Sequence, residues 1–255
     1  MLAAMIGTAA FGIAIAVRTE KSFANDLAHK EHILRRSETG IVLLDRSNRP
    51  FFSFYDARKR TVIPLSQVPT HVRQAVIAVE DKDFASHRGF SVRAIVRSTL
   101  QNIRYGTWSY GGSTITQQLA KNTLLSARKS LFRKYQEIIL ARQLERRYSK
   151  NDILEMYLNS VYFGEGAFGI EAAARTYFHK PTKDLTLAEA SMLAGLLPAP
   201  SRLSPISGDR KQAEARQKLV LQNMMEQRYI SPADRERAAR TPLTFAQPQE
   251  SDQIG

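Results

Sequence analysis

The strongest constraint on this chain is a glutamate placed where a helix would bury apolar side chains. Glu137 shares a face with Leu140, Ala141 and Leu144, at i+3, i+4 and i+7. A carboxylate on an inward stripe needs a partner, because an unpaired charge is too costly to desolvate. Arg133 and Lys134 supply cations one turn earlier, at i−4 and i−3. Any fold of this chain must therefore close around a polar cluster or leave a cleft beside it. An internal salt bridge fits this arrangement. So does a cleft where the cations meet a pyrophosphate and Glu137 orients them.

The surrounding pattern is helical from Pro69 onward. Val72, Ala75, Val76 and Val79 form one stripe at helical spacing, and Tyr135, Ile138, Ala141, Leu144 and Tyr148 contribute to another. Capping boxes mark three later helix starts: Ser149 with Asp152, Thr186 with Glu189, and Ser231 with Asp234. Upstream, Ile41–Leu44 and Phe51–Phe54 flank Ser47-Asn48-Arg49-Pro50, the pattern of a small β-hairpin. Leu2 to Val17 is uncharged and ends at Arg18. It is slightly shorter than the about 20 residues that span a bilayer, and it lacks the positive leader of a signal peptide. It reads as an anchor helix, although Arg18 and Lys21 just after it do not by themselves favour export of the body. The expected organisation is a transmembrane anchor at 1–18, a juxtamembrane helix and hairpin at 19–60, one mostly α-helical domain at 61–240, and a linker or tail at 241–255.

A formal charge of +13 calls for an anionic partner: nucleic acid, lipid headgroups or a phosphorylated substrate. The absence of cysteine excludes disulfides, thiolate metal sites and thiol nucleophiles.

A second glutamate, Glu80, ends the first stripe, so its side chain begins where the buried face stops. Partial burial raises a carboxylate toward the range useful for a general base. A solvated helix-end acid beside Lys82 is the plainer reading. Asp81, Phe84, His87 and Gly89 follow at fixed intervals and favour the functional one: His87 to hold the carboxylate, Phe84 to exclude water, Gly89 to reverse the chain. No second histidine lies at ligand spacing, so no protein metal site is expected. Between the glutamates runs Gly111-Gly112-Ser113-Thr114-Ile115-Thr116-Gln117-Gln118, whose glycines admit a ligand and whose hydroxyls and amides are hydrogen-bond donors. It lacks the ending of a P-loop, and it equally reads as a polar loop capping a helix near Thr114. Just before it, Ile103, Tyr105, Trp108 and Tyr110 mix with Arg97 and Arg104, which suits a membrane interface and core packing alike. Two carboxylates, paired cations and a hydroxyl loop are the parts needed to move a sugar off a phosphate.

Taken in order, these stretches resemble the peptidoglycan glycosyltransferases (glycosyltransferase family 51). Glu80–Gly89 looks like the first motif, Gly111–Gln118 the second and Arg133–Glu137 the third. Lys150–Asn159 looks like the fourth, and Arg216–Leu221, more weakly, the fifth. The resemblance runs from about Val62 to Ile230. It implies a lysozyme-like helical fold with a membrane-embedded jaw between the first two motifs. It also implies an enzyme that polymerises lipid II into β-1,4-linked glycan and releases undecaprenyl pyrophosphate. Glu80 and Glu137 would be catalytic: Glu80 would deprotonate the acceptor's 4-hydroxyl, and Glu137 with Arg133 and Lys134 would position the leaving pyrophosphate. Asp81, Phe84, His87, Ser113, Thr114, Gln118, Lys121, Asn122 and Arg216 occupy positions expected to contact substrate.

The implied partners are lipid II, the growing lipid-linked glycan, the membrane and other cell-wall synthesis proteins, with no nucleic acid. The implied location is the bacterial cytoplasmic (inner) membrane, single-pass, with the catalytic domain on the outer or periplasmic face. No cofactor is required, and a divalent cation, Mg or Mn, at the pyrophosphate is compatible with the chemistry. One departure stands out: Gly195-Leu196-Leu197-Pro198-Ala199-Pro200-Ser201 lacks the lysine common there in the family, and Arg202 is the nearest cation. Ser126-Ala127-Arg128-Lys129 matches the S-x-x-K motif of penicillin-binding transpeptidases by chance, since no K-[ST]-G follows in this sequence. The chain reads as a monofunctional enzyme or as the front of a two-domain one. A lysozyme-like glycan hydrolase and a basic membrane-surface module are the alternatives.

Overall fold

Helical periodicity becomes helix wherever the computed structural model describes the chain, which is over residues 15–36, 42–44, 50–53, 61–105, 112–125 and 131–246. In chain order the helices are α1 (helical over residues 15–23), α2 Lys30–Arg36, α3 Thr70–Glu80, α4 Val92–Tyr105, α5 Ile115–Leu124 and α6 Leu131–Arg147. There follow α7 Lys150–Ser160, α8 Ile170–Phe178, α9 Leu187–Leu196, α10 Pro200–Leu203, α11 Arg210–Glu226 and α12 Pro232–Arg240. Strands β1 Val42–Leu44 and β2 Pro50–Ser53 pair antiparallel, Val42 opposite Ser53 and Leu43 opposite Phe52, with an irregularity at Leu44. Residues 45–49, where the chain would turn between them, lie outside the described residues, as do residues 1–14 of the expected anchor. Among the described residues no helix is long and apolar enough to cross a membrane.

The chain divides into two compact units, one from residues 1–39 and 83–157, the other from 40–82 and 158–255. In the first, α5 packs on α6 and α2. Ile115, Leu119 and Ala120 on α5, and Leu140, Ala141 and Leu144 on α6, are fully buried. The inward face of α6 is thus Glu137–Leu140–Ala141–Leu144. Tyr135, expected on the stripe, is 38% exposed, and Ile138 is only half-buried. Tyr135 lies two positions, about 200° at 3.6 residues per turn, from Glu137, so with the Glu137 face packed inward Tyr135 falls on the opposite side of α6. The Tyr148 hydroxyl donates to the Leu27 carbonyl (2.9 Å). Lys30 pairs with Glu155 (2.5 Å), fastening the N-terminal segment to α7.

In the second unit the organising element is α9, buried at every position from Ala188 to Leu196. A helix apolar all round belongs in an interior, and α9 is covered by α3, α8, α10, α11 and α12. Gly195 allows the closest approach: a Cβ there would lie 3.2 Å from the Arg216 carbonyl carbon on α11. With both α9 and α11 packed on it, α3 buries Ala78, while Val79 stays half-buried. Asn159, buried at the end of α7, accepts from the Ile63 amide (3.0 Å) and donates to the Ile63 carbonyl (2.8 Å), in place of a strand partner. The start of the expected linker is tied down: the Ala246 amide donates to the Tyr177 carbonyl (2.9 Å) and Phe245 packs on Phe178.

All three expected capping boxes form. Ser149 and Asp152 exchange bonds of 3.1 and 3.2 Å, and Thr186–Glu189 and Ser231–Asp234 do the same. Thr114–Gln117 forms a fourth.

Two carboxylates are expected to make the second unit acid-sensitive. Burial pushes Glu171 up, but the Thr182 amide (2.9 Å) and Arg175 (2.7 Å) outweigh it and hold the group below its ordinary 4.5. At Glu189 burial is likewise outweighed by Lys180 (2.8 Å) and the Thr186 cap. A depressed carboxylate contributes stability above its unfolded pKa and loses it as pH falls through the folded one. Thermal stability is therefore expected to be level from pH 7 to about 5.5 and to fall below about 4.5. Glu171→Gln is expected to have a shallower acid slope, read as melting temperature against pH.

Candidate active site

The first unit gathers most of the residues singled out by the sequence. Glu137 is 3% exposed, and its carboxylate is shared by both cations: Lys134 Nζ lies 2.8 Å from Oε2, and Arg133 Nε 3.5 Å from Oε1. Lys134 Nζ also donates to Ser113 Oγ (2.8 Å), so the third motif closes onto the hydroxyl loop. Salt bridge and cationic site thus coincide. Lys134 is 46% exposed, so its ammonium keeps access to solvent or a ligand.

Within the loop, the side chains divide by job. Thr114, buried, is the N-cap of α5: its hydroxyl accepts from the Gln117 amide (3.1 Å) and donates to the Gly89 carbonyl (2.7 Å). Gln117 completes the capping box, and Thr116 donates inward to Glu145 (2.6 Å). Gln118 accepts from the Tyr157 hydroxyl (3.1 Å), whereas Lys121 and Asn122 are exposed on α5. Ser113 is tied to the cations through Lys134. Gly111 and Ser126 lie outside the described residues.

The segment after Glu80 is compact. Phe84 is buried, with Lys150 Nζ 4.6 Å from its ring centroid and the His87 ring edge-on to it. His87 Nδ1 accepts from the Gly89 amide (3.2 Å) and lies 4.0 Å from Glu145 Oε1. Gly89 has φ 98°, the turn its position called for, and a Cβ there would lie 2.9 Å from the Ala141 carbonyl carbon. Gly89→Ala combines left-handed strain with a backbone clash against α6 and is expected to cost about 2–4 kcal/mol, measured by urea unfolding.

Sequence reading passed over Glu145 and used Lys150 only as a motif letter. Lys150 Nζ donates to Glu145 Oε1 (2.7 Å) and to the His87 carbonyl (2.7 Å). The signal was present: Glu145 follows Glu137 by eight and Ala141 by four, on the same inward face.

In the second unit Glu80 is half-buried in the last turn of α3. Asp81, its C-cap, is buried, with its amide donating to Ile77 (3.0 Å). Arg216 is half-buried on α11, where Gly195 meets its backbone. Arg202, the cation nearest the missing lysine, is exposed and donates to Gln212. Among the described residues no group of three or more His, Cys, Asp or Glu converges as a metal site would require. Glu137 fits a divalent cation poorly, both of its oxygens already facing Arg133 and Lys134.

Penicillin-binding protein 1A of Aquifex aeolicus is 44% identical over 187 residues, 73% of this chain and 26% of that protein. Penicillin-binding protein 1F of Bacillus subtilis is 44% identical over 189 residues, 74% of this chain and 26% of that one. The chain thus spans about a quarter of the length of these curated relatives. A crystal structure of penicillin-binding protein 1A from Haemophilus influenzae superposes with a TM-score of 0.46 and 22% identity, over 82% of this chain and 21% of that one. The family model described as Transglycosylase matches residues 47–225, a span holding both glutamates, the paired cations and the hydroxyl loop, and the chain belongs to that family.

Proposed function

We propose that this chain is a peptidoglycan glycosyltransferase that extends a glycan with lipid II as substrate. The observation that carries the reading is the Ser113–Lys134–Glu137–Arg133 cluster. It is a cationic group held ready by a buried carboxylate, suited to a pyrophosphate leaving group. In the step, the acceptor's 4-hydroxyl oxygen attacks the anomeric carbon of the lipid-linked donor. The bond from that carbon to the pyrophosphate oxygen breaks with inversion, and the hydroxyl proton passes to Glu80. Arg133 and Lys134 take up the charge that develops on the departing pyrophosphate. A Mg or Mn ion would be held by phosphate oxygens rather than by this protein, and no step depends on it.

We also place the chain at a membrane. Along α4, Val92, Ile95, Val96, Leu100 and Ile103 are exposed at helical spacing, Ile103 at 74%. Arg93 and Arg104 are exposed on the same helix. An apolar stripe flanked by arginines, on a chain of net charge +13, suits an anionic lipid interface. Ile103→Asp is expected to weaken cosedimentation with anionic vesicles.

Incubation with labelled lipid II tests the activity. Glycan polymer together with undecaprenyl pyrophosphate supports it. Reducing ends without pyrophosphate release would identify a hydrolase instead.

A further inference from the structure

We propose that Glu145 and Lys150 are positioning residues for this reaction, a clamp that fixes the segment following Glu80 against the loop that carries Ser113. The inference rests on the glycosyltransferase reading above. Glu145 Oε1 accepts from the Thr116 hydroxyl (2.6 Å) and from Lys150 Nζ (2.7 Å). Lys150 Nζ reaches on to the His87 carbonyl (2.7 Å) and lies over the Phe84 ring. Thr116 stands on the first turn of α5, two residues beyond Thr114, whose own hydroxyl holds the Gly89 carbonyl (2.7 Å). Segments 84–89 and 113–116 are thus fastened at two points, once directly and once through Glu145 and Lys150.

The chemistry of the second fastening argues for positioning over filling. The Glu145 side chain is 6% exposed, and a carboxylate that deep is tolerated only with partners in good geometry. Apolar side chains of equal volume would fill the space at lower cost. They could not orient the His87 carbonyl or aim the α5 N-terminus, which charge-assisted hydrogen bonds do. A displacement of about 1 Å at such segments can cost roughly 100-fold in rate.

The test uses the full chain with Glu145→Ala, Glu145→Gln and Lys150→Arg, reading lipid II kinetics and amide hydrogen exchange together. For Glu145→Ala we expect kcat to fall about 10–100-fold with KM within about threefold. We expect amide exchange in 83–89 and 112–118 to rise about tenfold or more, with α9 and α11 unchanged. Lys150→Arg, which keeps a cation beside the carboxylate and the His87 carbonyl, should retain more activity than Glu145→Ala. Should Glu145→Ala fail to fold, Glu145→Gln decides by the same two readouts, since it keeps an acceptor but loses the charge. Unchanged exchange in both segments, or wild-type kcat in folded Glu145→Ala (in Glu145→Gln where Glu145→Ala does not fold), overturns the clamp. A wild-type chain that does not polymerise lipid II overturns the glycosyltransferase reading alone, while the exchange data still decide whether the clamp exists.

Discussion

Glu80→Gln is expected to lower lipid II polymerisation by about 10²–10⁴-fold while leaving the circular dichroism spectrum unchanged. The amide keeps the size of the side chain but cannot take the proton of the attacking hydroxyl. Glu80 is half-buried in the last turn of α3, past the buried Val72, Ala75 and Val76 that anchor the helix. The measurement is kcat/KM with labelled lipid II beside a melting curve. Turnover within a few-fold of wild type would remove Glu80 from the mechanism.

At Glu137 rate and stability are expected to respond by very different amounts. Glu137→Gln removes the charge that holds Arg133 and Lys134 in place, and polymerisation should fall about 10²–10³-fold. Stability should fall modestly: Lys134, 46% exposed, can be hydrated, whereas Arg133, 18% exposed, loses this countercharge. Removing both cations is the costly change. Arg133→Ala with Lys134→Ala leaves a carboxylate that is 3% exposed without these two countercharges, at about 3 kcal/mol or more. Arg133→Lys should not restore full activity if the guanidinium grips a phosphate through two parallel hydrogen bonds. Denaturant unfolding and polymerisation rate, measured on the same preparations, separate the two effects. A Glu137→Gln variant that is both active and unstable would make the cluster a packing feature only.

Much of the site was legible because its elements are local. A carboxylate at i+4 and i+3 from two cations must meet them on one helix, and so Arg133, Lys134 and Glu137 could be grouped from spacing alone. Capping boxes are similarly local, and those at Ser149, Thr186 and Ser231 formed as read. What spacing misjudged was which arc of a helix faces inward. Tyr135 and Val79 were placed on buried stripes; α6 kept the Glu137 face inward and left Tyr135 exposed, and α3 buried Ala78 in preference to Val79. Periodicity defines a stripe only to within about one position, 100° of helix rotation.

The sequence by itself determined the helical class, the caps, the chain reversal at Gly89 and the pairing inside the third motif, because each depends on residues within about a turn of one another. Only the tertiary structure decided which polar groups became scaffold. Thr114 and Thr116 read as ligand donors but spend their hydroxyls on Gly89 and Glu145, 25 and 29 residues away in the chain. Lys150 reaches back 63 residues to the His87 carbonyl, and Asn159 reaches back 96 to Ile63. A hydrogen bond demands a partner within about 3 Å, and no local pattern encodes which distant backbone group will arrive there. That choice is made by how α5, α6 and α7 pack.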